Sequence, residues 1–350
     1  MMAKSNTRFN IIFRLDAGQK FGFGHLSRCL SLADSFVEDH FIHFIIKTDD
    51  ESKVLDFIKL NYNSIQFINT SISGIEELEL IIKTVSKLNG FLIIDHYEAN
   101  VDYQLFLKKN HIKWLQFDSF AQQKLYADIV LHGSPGASHD IYDSLVESEK
   151  TKLLLGTKYS IVNKNFLKYR SEVKPRETIK RLFICFGGGY DKGASLKCIK
   201  LIDKKFFKRI EIVLIISDRN PDLEELYCFA ENYSNLHLVV NSSDIYRLMA
   251  NSDLAIISPG TLSYEAASVG LPMLLITIAD NQNFNVKGWT QTEAAISLGQ
   301  IEGLSIDSLN STLLFLINNP QYLKMMSVNS MNSVDGLAVS RIKDEILSVI

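Results

Sequence analysis

The chain has 350 residues, 46% of them hydrophobic, enough to bury two cores, so two domains are expected. Its formal net charge of -3 provides no global basic field, which argues against nucleic acid or an acidic membrane surface as partner. Cys29, Cys185, Cys198 and Cys228 form no Cys-x-x-Cys pair, so neither a zinc knuckle nor a disulfide frame is expected, which fits a reducing compartment.

The opening "MMAKSNTRFN" lacks the apolar stretch of a signal peptide. Short β-branched runs then alternate with longer amphipathic ones. "NIIFRLD", "FIHFIIKT", "SIQFIN", "FLIID", "IKWLQFD" and "DIVLH" read as strands, with helices expected over about 24–37, 51–60, 74–88 and 101–110. The charged stretch "NKNFLKYRSEVKPRETIKR" reads as a linker. Beyond it "RLFICFG", "IEIVLIIS", "LHLVV", "LAIISPG" and "LPMLLIT" repeat the rhythm, and helices are expected from about 306 to 350. The longest apolar run, "LPMLLITIA", is about half a membrane span, so no stable membrane insertion is expected and the protein reads as soluble and cytoplasmic.

This alternation predicts an α/β protein with two doubly wound, Rossmann-like domains facing a cleft. The expected division is 1–163, a linker over 164–180, and 181–350. In such sheets ligands lie beyond the carboxyl ends of the strands, so the strand ends hold the candidate site.

The first strand runs into "RLDAGQKFGFGHLSR". Gly22 and Gly24 permit a tight turn and close backbone approach. A helix resumes at His25, and a helix amino terminus favours the neutral imidazole, the form that can act as a base. A plain turn capped by His25 fits the local pattern equally well. Arg14, Asp16 and Arg28 flank the same turn and favour a substrate site. At "IIDHYEAN", Asp95 suits a cap for the next helix, Tyr97 is the better ligand candidate, and His96 is open. Asp118 in "QFDSF" is a cap or an orienting group.

In the second half, Gly187, Gly188 and Gly189 of "CFGGGYDKG" expose amides to a phosphate or simply form a flexible turn. "ISPGTLSYEAASVGLP" is the stronger signal. Gly260, Thr261 and Leu262 would present unpaired N–H groups at a helix start, and Glu265 sits one turn in, placed for a ribose diol. An ordinary cap at Thr261 is the competing reading. In "LLITIADNQNFN", Asp280 suits a cap, while Asn281 and Gln282 suit amide or hydroxyl recognition. No metal-ligand spacing, serine nucleophile elbow or cofactor fingerprint occurs, so no cofactor is expected.

Taken in order, "FRLDAGQKFGFGHLSRCLSLA", "IIDHYEAN", "LLGTKYSIVNKNF", "FICFGGGYDKG", "GTLSYEAASVGLP" and "IADNQ" resemble the UDP-sugar hydrolases of pseudaminic acid biosynthesis. The likeness spans about 10–282. It implies the glycosyltransferase-B fold and metal-independent hydrolysis of a UDP-linked 2,4-diacetamido-2,4,6-trideoxy sugar, with water attacking the anomeric carbon. By the same resemblance, His25 would be the base, with Tyr97 and Asn281 on the sugar. The Gly260–Leu262 amides would hold the pyrophosphate and Glu265 the ribose. The chain departs from the family at Ser119, where a second Asp is usual. It departs again at Asn163-Lys164, where the family usually has an Arg, and at Tyr264, where a Trp is common. A glycosyltransferase-B transferase with a UDP-N-acetyl sugar donor is the alternative.

Overall fold

The computed structural model describes residues 7–58, 61–187, 191–279 and 282–350. By internal contacts the chain divides into two units. Met1–Gly133, Ala137–Ile161 and Leu337–Ile350 form the first; Ser134–Gly136 and Val162–Gly336 form the second.

The first unit runs β1 (Asn10–Asp16), α1 (Gly24–Ala33), β2 (Phe41–Thr48), α2 (Glu51–Phe57), β3 (Ser64–Asn69), α3 (Gly74–Leu88), β4 (Phe91–Asp95), α4 (Val101–Lys109), β5 (Trp114–Phe117), β6 (Ile129–His132), α5 (His139–Tyr142) and β7 (Lys152–Leu155). All seven strands are parallel, in the order β3-β2-β1-β4-β5-β6-β7. Helices cover both faces of a parallel sheet, which is why β1 and β4 read as nearly unbroken apolar runs. Strand order reverses between β1 and β4, so the loops after these two strands diverge and leave a crevice. The loop that follows β1 leads into α1, whose second residue is His25, and β4 ends in Asp95.

The second unit runs α6 (Lys164–Arg170), β8 (Arg181–Cys185), α7 (Ala194–Leu201), β9 (Glu211–Ile216), α8 (Leu223–Ala230), β10 (Leu236–Val240), α9 (Ile245–Ala250), β11 (Leu254–Ile257), α10 (Thr261–Ser268), β12 (Met273–Thr277), α11 (Asn283–Gln291), β13 (Ala295–Gln300), α12 (Ile306–Asn318) and α13 (Pro320–Ser333). Its six parallel strands take the order β10-β9-β8-β11-β12-β13, reversing between β8 and β11. One apolar layer builds on Leu182, Leu214, Leu274 and Leu313, the other on Phe183, Ala266, Leu275 and Trp289. Burying a side chain of this size contributes roughly 1.5–3 kcal/mol.

The two doubly wound α/β units match expectation. β7 and β13 were not among the expected strands. Both are sheet edges with only one end buried; β7 offers no more than Leu153, Leu154 and Leu155 in a row, and the apolar residues of β13 are interrupted. The division of the chain differs from the expected boundaries in two places. First, α14 (Ala338–Leu347) packs on the first unit, where Ile342 and Ile346 join the core around Phe13, Leu26 and Leu32. Second, the charged stretch expected as a linker is built into the second unit. Phe166 of α6 is 2% exposed. Arg170 donates to the carbonyls of Ser268, Met331 and Val334, and buried Arg176 to those of Ala250, Ser252 and Val269. Guanidinium groups at helix carboxyl ends satisfy carbonyls that have no partner within the helix and complement the helix dipole. The polarity that suggested a linker is therefore polarity that caps α9, α10 and α13.

Candidate functional site

The turn after β1 is a short hairpin. Gly18 and Gly22 exchange backbone hydrogen bonds of 3.2 and 2.8 Å. Both have positive φ, and a Cβ on Gly18 would lie 2.0 Å from Asp49 Oδ1. Asp49 also accepts from the amides of Gln19 and Lys20. The residues that need glycine are thus Gly18 and Gly22. Gly24, expected to share that task, is the exposed first residue of α1. The cap position is Phe23, which offers no side-chain acceptor, so His25 stands in an uncapped first turn.

His25 is 6% exposed, and its Nδ1 lies 2.7 Å from Asp95 Oδ1. Arg28, one helical turn on, donates from Nε to Asp95 Oδ2 at 2.5 Å and from Nη2 to Oδ1. Arg28 Nη2 also lies 3.0 Å from His25 Nδ1. Nδ1 thus faces two opposed partners, a carboxylate oxygen that only accepts and a guanidinium that only donates. The shorter contact, to the carboxylate at 2.7 Å, favours the proton on Nδ1 and the lone pair on Nε2. Burial opposes the charge of Asp95, but Arg28 and then His25 overcome it and hold the carboxyl well below the usual range. Cys29 donates to Asp95 Oδ2, and burial keeps its thiol protonated. Asp95 is not the cap expected from its position. Asn100 caps α4, and Asp95 orients the base instead.

Arg14 and Asp16 do not face the site as expected. Arg14 is 0% exposed. Nε and Nη2 donate to the two oxygens of Glu77 at 2.9 and 2.8 Å, and Nη1 donates to Asp16 at 2.6 Å. Burial raises the Asp16 carboxyl despite Arg14. Lys47 adds an ion pair to Glu98 at 2.7 Å. This buried network is a floor beneath the hairpin and leaves no guanidinium face for a ligand. His96 belongs to the same floor. Its Nδ1 accepts from the Glu98 amide, and burial holds the ring neutral.

Tyr97 stays at the surface, 57% exposed, with its ring edge-on to His25 at 4.8 Å between centroids. Phe120 packs on Tyr97 at 5.1 Å. Asp118 does orient partners. It accepts from the amides of Phe120 and Ala121 and from the Tyr142 hydroxyl at 2.5 Å, and Tyr142 also engages His132. Burial lowers His132 to about 4, so this ring too is neutral.

In the second unit, Gly260 caps α10 and has no side chain to accept from the first turn. Thr261 is the first helical residue rather than the cap, as the anion-site reading requires. Chain neighbours aside, no atom of the described residues lies within 4 Å of where a Cβ on Gly260 or Gly187 would stand, and Gly187 has φ of 115°. The backbone at both strand ends is accessible. Ser258 donates to the Phe186 carbonyl at 3.3 Å and ties the two loops together at the switch point. Gly188, Gly189, Asp280 and Asn281 lie outside the described residues.

Glu265 is half-buried, and burial alone pushes its carboxyl up to about 8. Gln282 uses its side-chain oxygen to accept from the Ile278 amide at 2.9 Å, closing its own loop. Asn285, which lies beyond the strand end and inside α11, is a hub. It accepts from Ser134 and Tyr264 and donates to the Pro259 carbonyl at 2.9 Å, fixing the turn before α10. It belongs to the run "NQNFN", three residues beyond the last one weighed, so polarity alone did not separate it from its neighbours.

No family model matches the chain. It is 29% identical over 273 residues to the UDP-2,4-diacetamido-2,4,6-trideoxy-beta-L-altropyranose hydrolase of Campylobacter jejuni, covering 78% of this chain and 93% of that one. It is 23% identical over 291 residues to the spore coat polysaccharide biosynthesis protein SpsG of Bacillus subtilis, covering 81% and 82%. Among solved structures, MurG of Acinetobacter baumannii superposes with a TM-score of 0.67 at 16% identity, over 97% of this chain and 99% of that one. The fold is the glycosyltransferase-B fold.

Proposed function

We propose that the protein is a hydrolase of nucleotide sugars, releasing UDP from a 2,4-diacetamido-2,4,6-trideoxy sugar in nonulosonic (pseudaminic) acid or surface polysaccharide biosynthesis. The observation that carries this reading is the buried His25–Asp95 pair, whose tautomer leaves Nε2 free to accept a proton. The relatives above supply the substrate class. Nε2 takes a proton from water while the water oxygen bonds to the anomeric carbon. The bond from that carbon to the phosphate oxygen breaks, and its electron pair leaves with UDP. Asp95 stabilises the imidazolium that forms.

Asp95 is 1% exposed and fully engaged by His25 and Arg28, so it cannot serve as a nucleophile. A single inverting displacement follows, without a glycosyl-enzyme intermediate. The α10 amides at Thr261 and Leu262 would take the pyrophosphate, and Glu265 would accept from the ribose hydroxyls. Tyr97 and Asn281 would hold the sugar, with Arg28, Gly24 and Gln282 around it. Main-chain donors at the pyrophosphate make the reaction independent of a divalent cation, so activity is expected to survive EDTA.

Reaction in oxygen-18 water tests the reading. The label is expected in the free sugar and not in UDP. Label in UDP means attack at phosphorus and rejects His25 as the base facing the anomeric carbon. A transferase would instead release UDP only when an acceptor is added, with the sugar joined to that acceptor and none of it free.

A further inference from the structure

Next to the base, the first unit presents a wall of aromatic carbon. Tyr97 packs against His25 on one side and Phe120 on the other, and its ring is more than half exposed. Phe120 itself is only half-buried. Water is a poor neighbour for two adjacent rings, yet the chain holds them firmly in place. The amide of Ala121 donates to Asp118 Oδ2 at 2.9 Å, and Ala121 takes a left-handed φ of 52°, which turns the chain sharply after Phe120. Asp118 is fixed in turn by the Tyr142 hydroxyl. Three anchors on one four-residue loop restrict the backbone that carries Phe120, so little ordering remains when a ligand arrives.

The wall offers one polar atom, the Tyr97 hydroxyl; Phe120 offers none. A sugar hydroxyl placed against Phe120 would lose its water and gain no partner, whereas a methyl group would lose nothing. An acetamido group needs both a donor and an acceptor opposite it, which suits a polar surface better than this one. We infer that Phe120 is a specificity-determining residue that receives the methyl carbon of a 6-deoxy sugar and rejects the 6-hydroxyl counterpart. This rests on the nucleotide-sugar reading of the site.

The probes are UDP-N-acetylglucosamine and its 6-deoxy analogue, which differ at that carbon alone. Discrimination is read in two ways. One is the ratio of kcat/KM. The other is the ratio of dissociation constants in the His25→Ala background, which needs no turnover. Phe120→Ser is expected to lower the 6-deoxy preference at least tenfold, mainly through KM for the deoxy donor, with affinity for UDP alone unchanged. Phe120→Leu, apolar and close in volume, is expected to keep the preference, which controls for folding. An unchanged ratio in Phe120→Ser overturns the wall whether or not the protein turns over. A binding ratio that falls in Phe120→Ser upholds the wall even where the wild type turns over neither probe, so the wall and the hydrolysis are read separately.

Discussion

Replacing Glu265 by Gln separates what this side chain costs from what it does. The carboxyl is half-buried with no cation paired to it among the described residues, and burial moves it from the ordinary 4.5 to about 8. That gap corresponds to about 5 kcal/mol at ~1.4 kcal/mol per pH unit, and about 3 kcal/mol of it acts at pH 7. The side chain keeps a solvent-facing part, so screening reduces the effect to about 1–3 kcal/mol. The sign follows from which state binds the proton. Between pH 4.5 and 8 the folded chain keeps the proton and the unfolded chain releases it, so stability falls as pH rises through that window. Below 4.5 both states are protonated and the cost vanishes; above 8 both are ionised and it stays constant.

Glutamine has the same size and no such cost. Glu265→Gln is therefore expected to raise the melting temperature of the unliganded protein by roughly 3–10 °C at pH 8, and by little or nothing at pH 4. The same variant is expected to bind UDP on the order of tenfold more weakly at pH 8.5, because a carboxylate can accept from both ribose hydroxyls. Wild-type affinity should tighten between pH 7 and 8.5 relative to the variant, since binding favours the ionised form. Differential scanning calorimetry and isothermal titration across this range read both quantities. Equal melting temperatures across pH 5–9 would refute the isolated carboxyl, and equal UDP affinity would remove Glu265 from the ribose role.

His25→Ala should cut turnover roughly 10²–10⁴-fold in steady-state assays while UDP affinity by calorimetry stays intact. Asp95→Asn should lose turnover comparably, because the amide removes the acceptor that keeps the proton on Nδ1; nuclear magnetic resonance of the ring nitrogens should show the tautomer change. Arg14→Met should lower stability by about 3 kcal/mol in urea unfolding, since it leaves the buried Glu77 with only Lys47, at 3.6 Å, to balance its charge, with UDP affinity unchanged. If Arg14 contacted substrate, the folded fraction would show a raised KM instead.

What was legible in the chain follows from how local the signal is. β1, β2, β3, β4 and β10 appeared with their observed bounds because each is a run of apolar or alternating residues closed by polar ones. The glycine turn and His25 were legible because they sit within one short stretch. The partners were not. Asp95 lies 70 residues from His25, and Glu77 lies 63 from Arg14. Nothing at those positions distinguishes an orienting carboxylate from a helix cap, or a buried Arg from a ligand-binding one. The parallel pairing of β1 with β4 sets Asp95 beside the end of β1 that leads into α1 and His25, and α3 carries Glu77 to Arg14. Asn285, Tyr142 and His132 were missed for the same reason: each acts by joining segments distant in the chain.

The return of α14 to the first unit has a consequence for biosynthesis. A ribosome finishes β1 to β7 long before it makes Ile342 and Ile346, which complete the core around Phe13 and Leu26. Translation of the intervening Val162–Gly336 takes on the order of ten to thirty seconds at ~5–20 residues per second. For that interval the nascent first unit exposes an apolar groove over α1 that its own last helix will fill. The base-bearing unit thus emerges before the second unit and closes after it, and a nascent chain stalled before Leu337 should be a ready target for chaperones and proteases.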